Sequence, residues 1–382
     1  MAADQKTQNR HRANADVEVQ VLGPRALNRA LLARQMLLSR VNLPTLEVIE
    51  RLVGLQAQAP TAPYFGLWTR IEDFHPDELS QLYLNHKVVR IALMRSTLHL
   101  VSAGDCLDLR PLVQSAHDRG LKGTYGKRLV GLDLNELASA GRALIEAQPL
   151  TFNELGKRLG ERWPDHDPSV LAAAIRVLLP LVQVPPRGLW GNHGQAAHTS
   201  AEQWLGHPLS SESSVEKFVL RYLVAFGPAT VKDIQVWSGL TRMSEVIKKL
   251  RPQLAVFRDE HGRDLFDLPD APRPDAQTPS PPRFLGEFDN MLLSYADRSR
   301  IIDEAYRKQV FTVNGIIRST LLIDGFVSGI WKIQREHGTA TLSIELFKQL
   351  STEDHCAVME EGAKLLKFAA ADEKSHAIVF TS

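Results

Sequence analysis

The chain of 382 residues has only two cysteines, Cys106 and Cys356, far apart and without paired spacing. That argues against a disulfide framework and a four-ligand zinc site, and it fits a reducing compartment. An excess of one charge is missing too: 45 Lys and Arg face 44 Asp and Glu, a formal net charge of +1. This excludes a strongly basic coat protein, but not a local basic groove on a neutral body. No apolar run approaches the roughly 18 residues of a membrane helix. The polar opening MAADQKTQNRHRANADVEVQ has no apolar core of a secretion signal. The thirteen histidines form no helical zinc pair, and no glycine-rich nucleotide loop occurs. These absences predict a soluble, cytoplasmic chain with no metal and no cofactor, long enough for two or three domains.

What the chain does contain is a repeat. PTLEVIERLVGL (44–55), LTFNELGKRLG (150–160) and ATVKDIQVWSGL (229–240) align without gaps on Thr45, Thr151 and Thr230. Each Thr is followed by an apolar residue, by a second apolar residue four positions on (Ile49, Leu155, Ile234), and by Gly nine positions on (Gly54, Gly160, Gly239). The pattern predicts one short helix written three times, with a Thr cap, a buried stripe and a left-handed exit at Gly. Glu154 completes a capping box in the second copy. An amphipathic stretch precedes each copy, and a further helix and β-rich segments follow it. That order is the winged helix-turn-helix plan.

The resulting fold class is α+β and mainly helical, with three tandem winged units and a C-terminal α+β module containing an antiparallel sheet. The boundaries expected are a disordered tail at 1–22, winged units at 23–103, 104–212 and 213–270, a linker at 271–283 and the C-terminal module at 284–382. The linker is read from the proline-rich PDAPRPDAQTPSPPR. Tyr64, Phe65 and Trp68 fall at helical spacing and are read as core.

Winged helices usually bind nucleic acid, with the third helix in a groove and the wing on the backbone. Two basic clusters suit that role. Arg242, Lys248, Lys249, Arg251 and Arg258 stand against the single acid Glu245. RGLKGTYGKR supplies Arg119, Lys122, Lys127 and Arg128 around an expected flexible turn. Such clusters neutralise phosphates, although charge runs are often only solvated faces.

The segment RLVGLQAQAPTAPYFGLW carries Gln56 and Gln58 in apolar surroundings. With LQAQAP placed just after the first short helix, the tandem units resemble the AlkZ/YcaQ family of bacterial DNA glycosylases, which carries a glutamine-apolar-glutamine or glutamine-apolar-aspartate signature. RSTLHLV (95–101), PPRGLWG (185–191), GPATVKDIQVWSGL (227–240), FDNMLLSYADRSRII (288–302) and DGFVSGIWKI (324–333) are similar to family blocks. Gln56-Ala57-Gln58 matches the double-glutamine AlkZ branch. The resemblance implies a C-shaped fold around a DNA-binding cleft without a snug base pocket. It also implies excision of bulky N7-alkylated purines, including crosslinks made by azinomycin-type natural products.

The residue chemistry is compatible with that. An N7-alkylated purine is cationic and leaves readily, so its release needs less general acid–base help than an ordinary base. Two amide oxygens can orient a water and place partial negative charge beside the sugar as positive charge develops. A spacing of two puts both side chains on one side of an extended segment. The plainer alternative is that both amides bond nearby backbone at a helix end. Strand alternation puts Arg95, Thr97 and His99 on one face, either lining the cleft or facing solvent. Asp297, Arg298 and Arg300 can bind phosphate or form surface ion pairs. No lysine is singled out as a Schiff-base nucleophile, so the expectation is a monofunctional, monomeric glycosylase acting on double-stranded DNA with alkylated purines, in DNA repair or self-resistance. The rival is a non-enzymatic winged-helix regulator or adaptor.

Overall fold

The computed structural model describes residues 19–381. The expected disordered tail falls largely outside them. Gln20 and Leu22, however, exchange main-chain hydrogen bonds with Arg258 and so add to a hairpin edge.

The chain opens with α1 (Pro24–Arg34), α2 (Thr45–Arg51), β1 (Leu55–Gln56), α3 (Ala62–Trp68), α4 (Pro76–Leu84), β2 (Val88–Ala92) and β3 (Leu98–Ser102). Next come α5 (Ala103–Leu112), α6 (Gln114–Tyr125), α7 (Leu134–Ala147), β4 (Leu150–Thr151), α8 (Phe152–Arg162), α9 (Pro168–Leu178), β5 (Leu181–Gln183), β6 (Ala197–Ser200) and α10 (Ala201–Leu205). A third group is α11 (Val215–Phe226), α12 (Val231–Ser238), α13 (Met243–Leu250), β7 (Ala255–Arg258) and β8 (Asp264–Asp267). The last part holds β9 (Arg283–Leu285), α14 (Glu304–Val310), β10 (Thr320–Ile323), β11 (Phe326–Glu336), β12 (Thr339–Leu346), α15 (Thr352–Ala369) and β13 (Ser375–Thr381). No described helix is long and apolar enough to cross a membrane.

Helix, short helix, helix and strand pair thus recur three times, but the repeat is less regular than its sequence. Thr151 and Thr230 each cap their helix in a capping box, with Glu154 and Asp233. Thr45 does not cap: Pro44 takes that position, and the Thr45 hydroxyl donates to Glu78 at 2.7 Å. Gly54 and Gly239 have φ of +83° and +76°, as the exit requires. Gly160 instead stays inside α8, where its missing side chain leaves room for Pro168 of the next helix. RGLKGTYGKR is no flexible turn either: α6 runs through Tyr125, held inward by Leu121 and by a His117–Leu93 carbonyl hydrogen bond.

The strand pairs of the first two groups do not stand apart. They fuse into one six-stranded sheet of order β1-β3-β2-β5-β6-β4, joined where Arg90 pairs with Gln183 and Ile91 with Val182. The C-terminal sheet has order β13-β12-β11-β10-β9 and is not wholly antiparallel. β13 runs parallel to β12, as it must when the α15 crossover returns the chain to the same end.

α1 ties these parts together. Instead of an amphipathic face it is buried almost all round, with Asn28, Arg29 and Arg34 inside. Asn28 donates to the Arg300 and Gly325 carbonyls at 2.8 Å each. Arg34 forms a two-pronged pair with Asp267 on β8, both contacts 2.7 Å. The proline-rich stretch is pinned to this hub, since Ala276 and Thr278 accept from Arg25 and Arg29.

Candidate active site

Gln56 ends the two-residue strand β1, where it pairs with His99 of β3. Gly54 makes this close approach possible: a side chain there would sit 2.8 Å from the Leu100 carbonyl. Asn290 then clamps the backbone, donating to the Gly54 carbonyl at 2.7 Å and accepting from the Gln56 N–H at 3.3 Å. Its neighbour Asp289 is fixed by a buried pair with Arg70, two contacts of 2.9 Å. The Gln56 main chain is thus positioned by residues more than two hundred positions away.

Its side chain is equally constrained. Gln56 is buried, and its Oε1 accepts from Arg95 Nη2 at 2.9 Å. Arg95 lies not on β3 but in the turn before it, at φ +56°, an uncommon conformation for a side-chain-bearing residue. From there its other arm donates to the Trp237 carbonyl at 2.5 Å, and Arg119 donates to the Gly239 carbonyl at 2.6 Å. Both guanidiniums therefore meet the C-terminal end of α12, where the helix dipole favours cations. Burial and the nearby Arg298 push Arg95 down to about 10, which leaves it charged at neutral pH. His99 is buried beside it, and desolvation followed by the Arg95 charge pushes it down to about 3. Its ring is neutral at physiological pH, with Nδ1 2.9 Å from the Thr97 carbonyl. The Thr97 hydroxyl closes the turn onto the Met94 carbonyl.

Gln58 has a different setting. Past the end of β1 it is exposed and lines a cavity of about 210 Å³ with Arg90, Arg176, Gln183, Arg187 and His198. Leu98, Phe152 and Leu181 supply apolar wall, and no carboxylate lines it. Arg90 Nη2 donates to the carbonyl of Ala57, the residue between the glutamines, at 2.7 Å. Burial pushes His198 down to about 4, so it too is neutral at physiological pH. Two larger hollows, about 740 and 1240 Å³, open further along the segment at Thr61 and Phe65.

A family model for AlkZ-like DNA glycosylases matches residues 49–368. The chain belongs to this family of DNA glycosylases. A curated relative, an interstrand DNA cross-link repair glycosylase of Streptomyces sahachiroi, is 27% identical over 325 residues, covering 78% of this chain and 85% of the relative. The solved structure of S. sahachiroi DNA glycosylase AlkZ superposes with a TM-score of 0.76 at 20% identity, covering 95% of this chain and all of that one. The match supports a shared fold.

In this glycosylase the other residues singled out in the sequence divide into two groups. Arg298 is half-buried over the Phe311 ring and close enough to Arg95 to lower its pKa. Arg300 is buried, donates to the Pro228 carbonyl at 2.7 Å and packs over Tyr295, so it braces the fold rather than facing a ligand. Lys122, Lys127 and Arg128 are exposed on and just after α6. Arg242, Lys248 and Lys249 are exposed around α13, where Lys249 pairs with Glu216 at 3.2 Å. Residue reasoning missed Asn290, Arg90, Arg176 and Arg187. Asn290 and Arg187 lie inside blocks already similar to the family, FDNMLL and PPRGLWG, and that was the signal available for them.

Proposed function

We propose that this glycosylase hydrolyses the N-glycosidic bond of N7-alkylated purines in double-stranded DNA, including bulky adducts and interstrand crosslinks, as a monofunctional, monomeric, cytoplasmic enzyme. The observation that carries the reading is the exposed amide of Gln58 beside a cavity with no carboxylate, two residues from a locked Gln56. A site without a general base suits a leaving group that already carries positive charge. Gln58 accepts a hydrogen bond from water and aims it at C1′. The water oxygen bonds to C1′ while the C1′–N9 bond breaks, its electron pair neutralising the purine, and the water proton passes to solvent. Gln56, whose oxygen already accepts from Arg95, fixes the segment and adds its dipole beside the developing sugar cation. The three helix-helix-helix-strand groups act as winged helices, with Lys122, Lys127, Arg128, Arg242, Lys248 and Arg298 on the backbone. The name of the S. sahachiroi relative supports the crosslink assignment.

The test is release of base from a duplex carrying one 7-methylguanine. Wild type is expected to release it, and Gln56→Ala/Gln58→Ala to bind the same duplex without release. Absence of release by wild type, both here and from a bulkier N7 adduct, would leave a DNA-binding protein with another chemistry.

A further inference from the structure

The arginines beside Gln58 are not explained by the hydrolysis. Arg90 is only 2% exposed, yet its Nε and Nη1 have no hydrogen-bond partner. Arg187 donates from Nη1 to the Gly194 carbonyl at 2.9 Å, and Arg176 is exposed on α9. Gly188, at φ +97°, makes room for this group, since a side chain there would come within 2.8 Å of Arg90 Nη1. A buried cation with two unpaired donors is costly in a resting protein, and an anion seated beside it offsets that cost through charge without touching those two atoms. Here the backbone is shaped to keep it.

The chemistry of that acceptor follows from charge and size. Three guanidiniums and no carboxylate repel a cationic purine, so the cavity is no pocket for the alkylated base. At about 210 Å³ it also falls below the range of pockets that enclose drug-sized ligands. A phosphodiester fits on both counts, and guanidinium forks match its oxygens.

We propose that the cavity of Arg90, Arg176 and Arg187 seats one backbone phosphate of the damaged strand next to the lesion. This rests on the glycosylase reading for its substrate. Anchored there, the phosphate places the sugar against Gln58. It also screens the three cations from the positive charge that develops on that sugar, which they would otherwise oppose.

The experiment uses the full chain and duplexes with one 7-methylguanine, in which each phosphate from two 5′ to two 3′ of the lesion is replaced singly by methylphosphonate. Affinity by fluorescence anisotropy and single-turnover base release are both read. One position is expected to cost wild type about tenfold in affinity, as Arg187→Gln does on the unmodified duplex, and the two together no more than either alone. Arg176→Gln, on an exposed side chain, repeats the cycle without touching the Gly194 contact and is expected to lower the salt slope by about one. Costs that multiply at every position for both variants would overturn the phosphate seat. Non-additive binding without base release would instead retain the seat and reject the hydrolysis.

Discussion

Around Gln56 the polar groups are matched to one another: its oxygen to Arg95, its N–H to Asn290, Asn290 in turn to Gly54, and Asp289 to Arg70, of which only Nε lacks a partner. Around Gln58, two residues on, the side chain is exposed and the neighbouring Arg90 keeps two buried donors unpaired. One half of the segment is closed and built for position. The other is open and built for something that arrives. The same residue type therefore does two jobs, and equal roles for the two glutamines, as spacing alone implies, do not follow from the structure.

The largest effect is expected at the ion pair beneath Gln56. Asp289→Ala leaves Arg70 as an uncompensated charge in a fully buried place, which typically costs about 3–5 kcal/mol. The urea midpoint is expected to fall accordingly, with activity lost through instability. An unchanged midpoint would mean that the closed half does not depend on this pair.

The second test separates the two amides. Gln58→Ala is expected to lower base release by about a hundredfold, the scale on which a single transition-state hydrogen bond is felt. DNA affinity and thermal midpoint should stay near wild type, because the side chain is exposed. Gln56→Ala is expected to slow release and also to destabilise, since it strands a half-buried Arg95 donor. If both variants lost only rate, the two halves would be functionally alike.

Part of this division is legible in the sequence. Thr151 and Thr230 begin their helices as read, because a capping box is satisfied within four residues. Thr45 departs from the pattern because its partner, Glu78, comes from another helix. The α6 helix overrides two internal glycines through tertiary contacts that propensity does not contain. Strand alternation places Arg95 on the face of His99, yet it reaches Gln56 for a different reason, the left-handed turn. Arg300, two positions from Arg298 in the same basic run, points into the core. The arginines of the cavity come from β2, α9 and the loop after β5, so no local spacing reveals them.

A smaller effect sharpens the closed half. Arg95→Lys keeps charge but loses the planar fork that spans Gln56 and the Trp237 carbonyl. In a double-mutant cycle with Gln56→Ala, the coupling energy for stability is expected to be about 1–2 kcal/mol. Additive losses would show that Gln56 is held by its backbone clamp alone.

The smallest effect expected is on the pH profile of the rate. His99 stands opposite Gln56, where an imidazole of ordinary pKa would make rate follow its protonation near neutrality. Burial and Arg95 push it down to about 3, so the ring stays neutral and enzymatic release should vary less than about twofold between pH 5.5 and 8, after subtraction of spontaneous depurination. Stability behaves differently. His99, together with His117 and His198, both pushed down to about 4, binds fewer protons folded than unfolded. Their contribution is complete above the unfolded value of about 6.5 and is lost as pH falls towards 4 and then 3. A rate step near pH 6.5 that disappears in His99→Gln would give this residue a proton to carry, and would make His99 a participant in the chemistry rather than part of its frame.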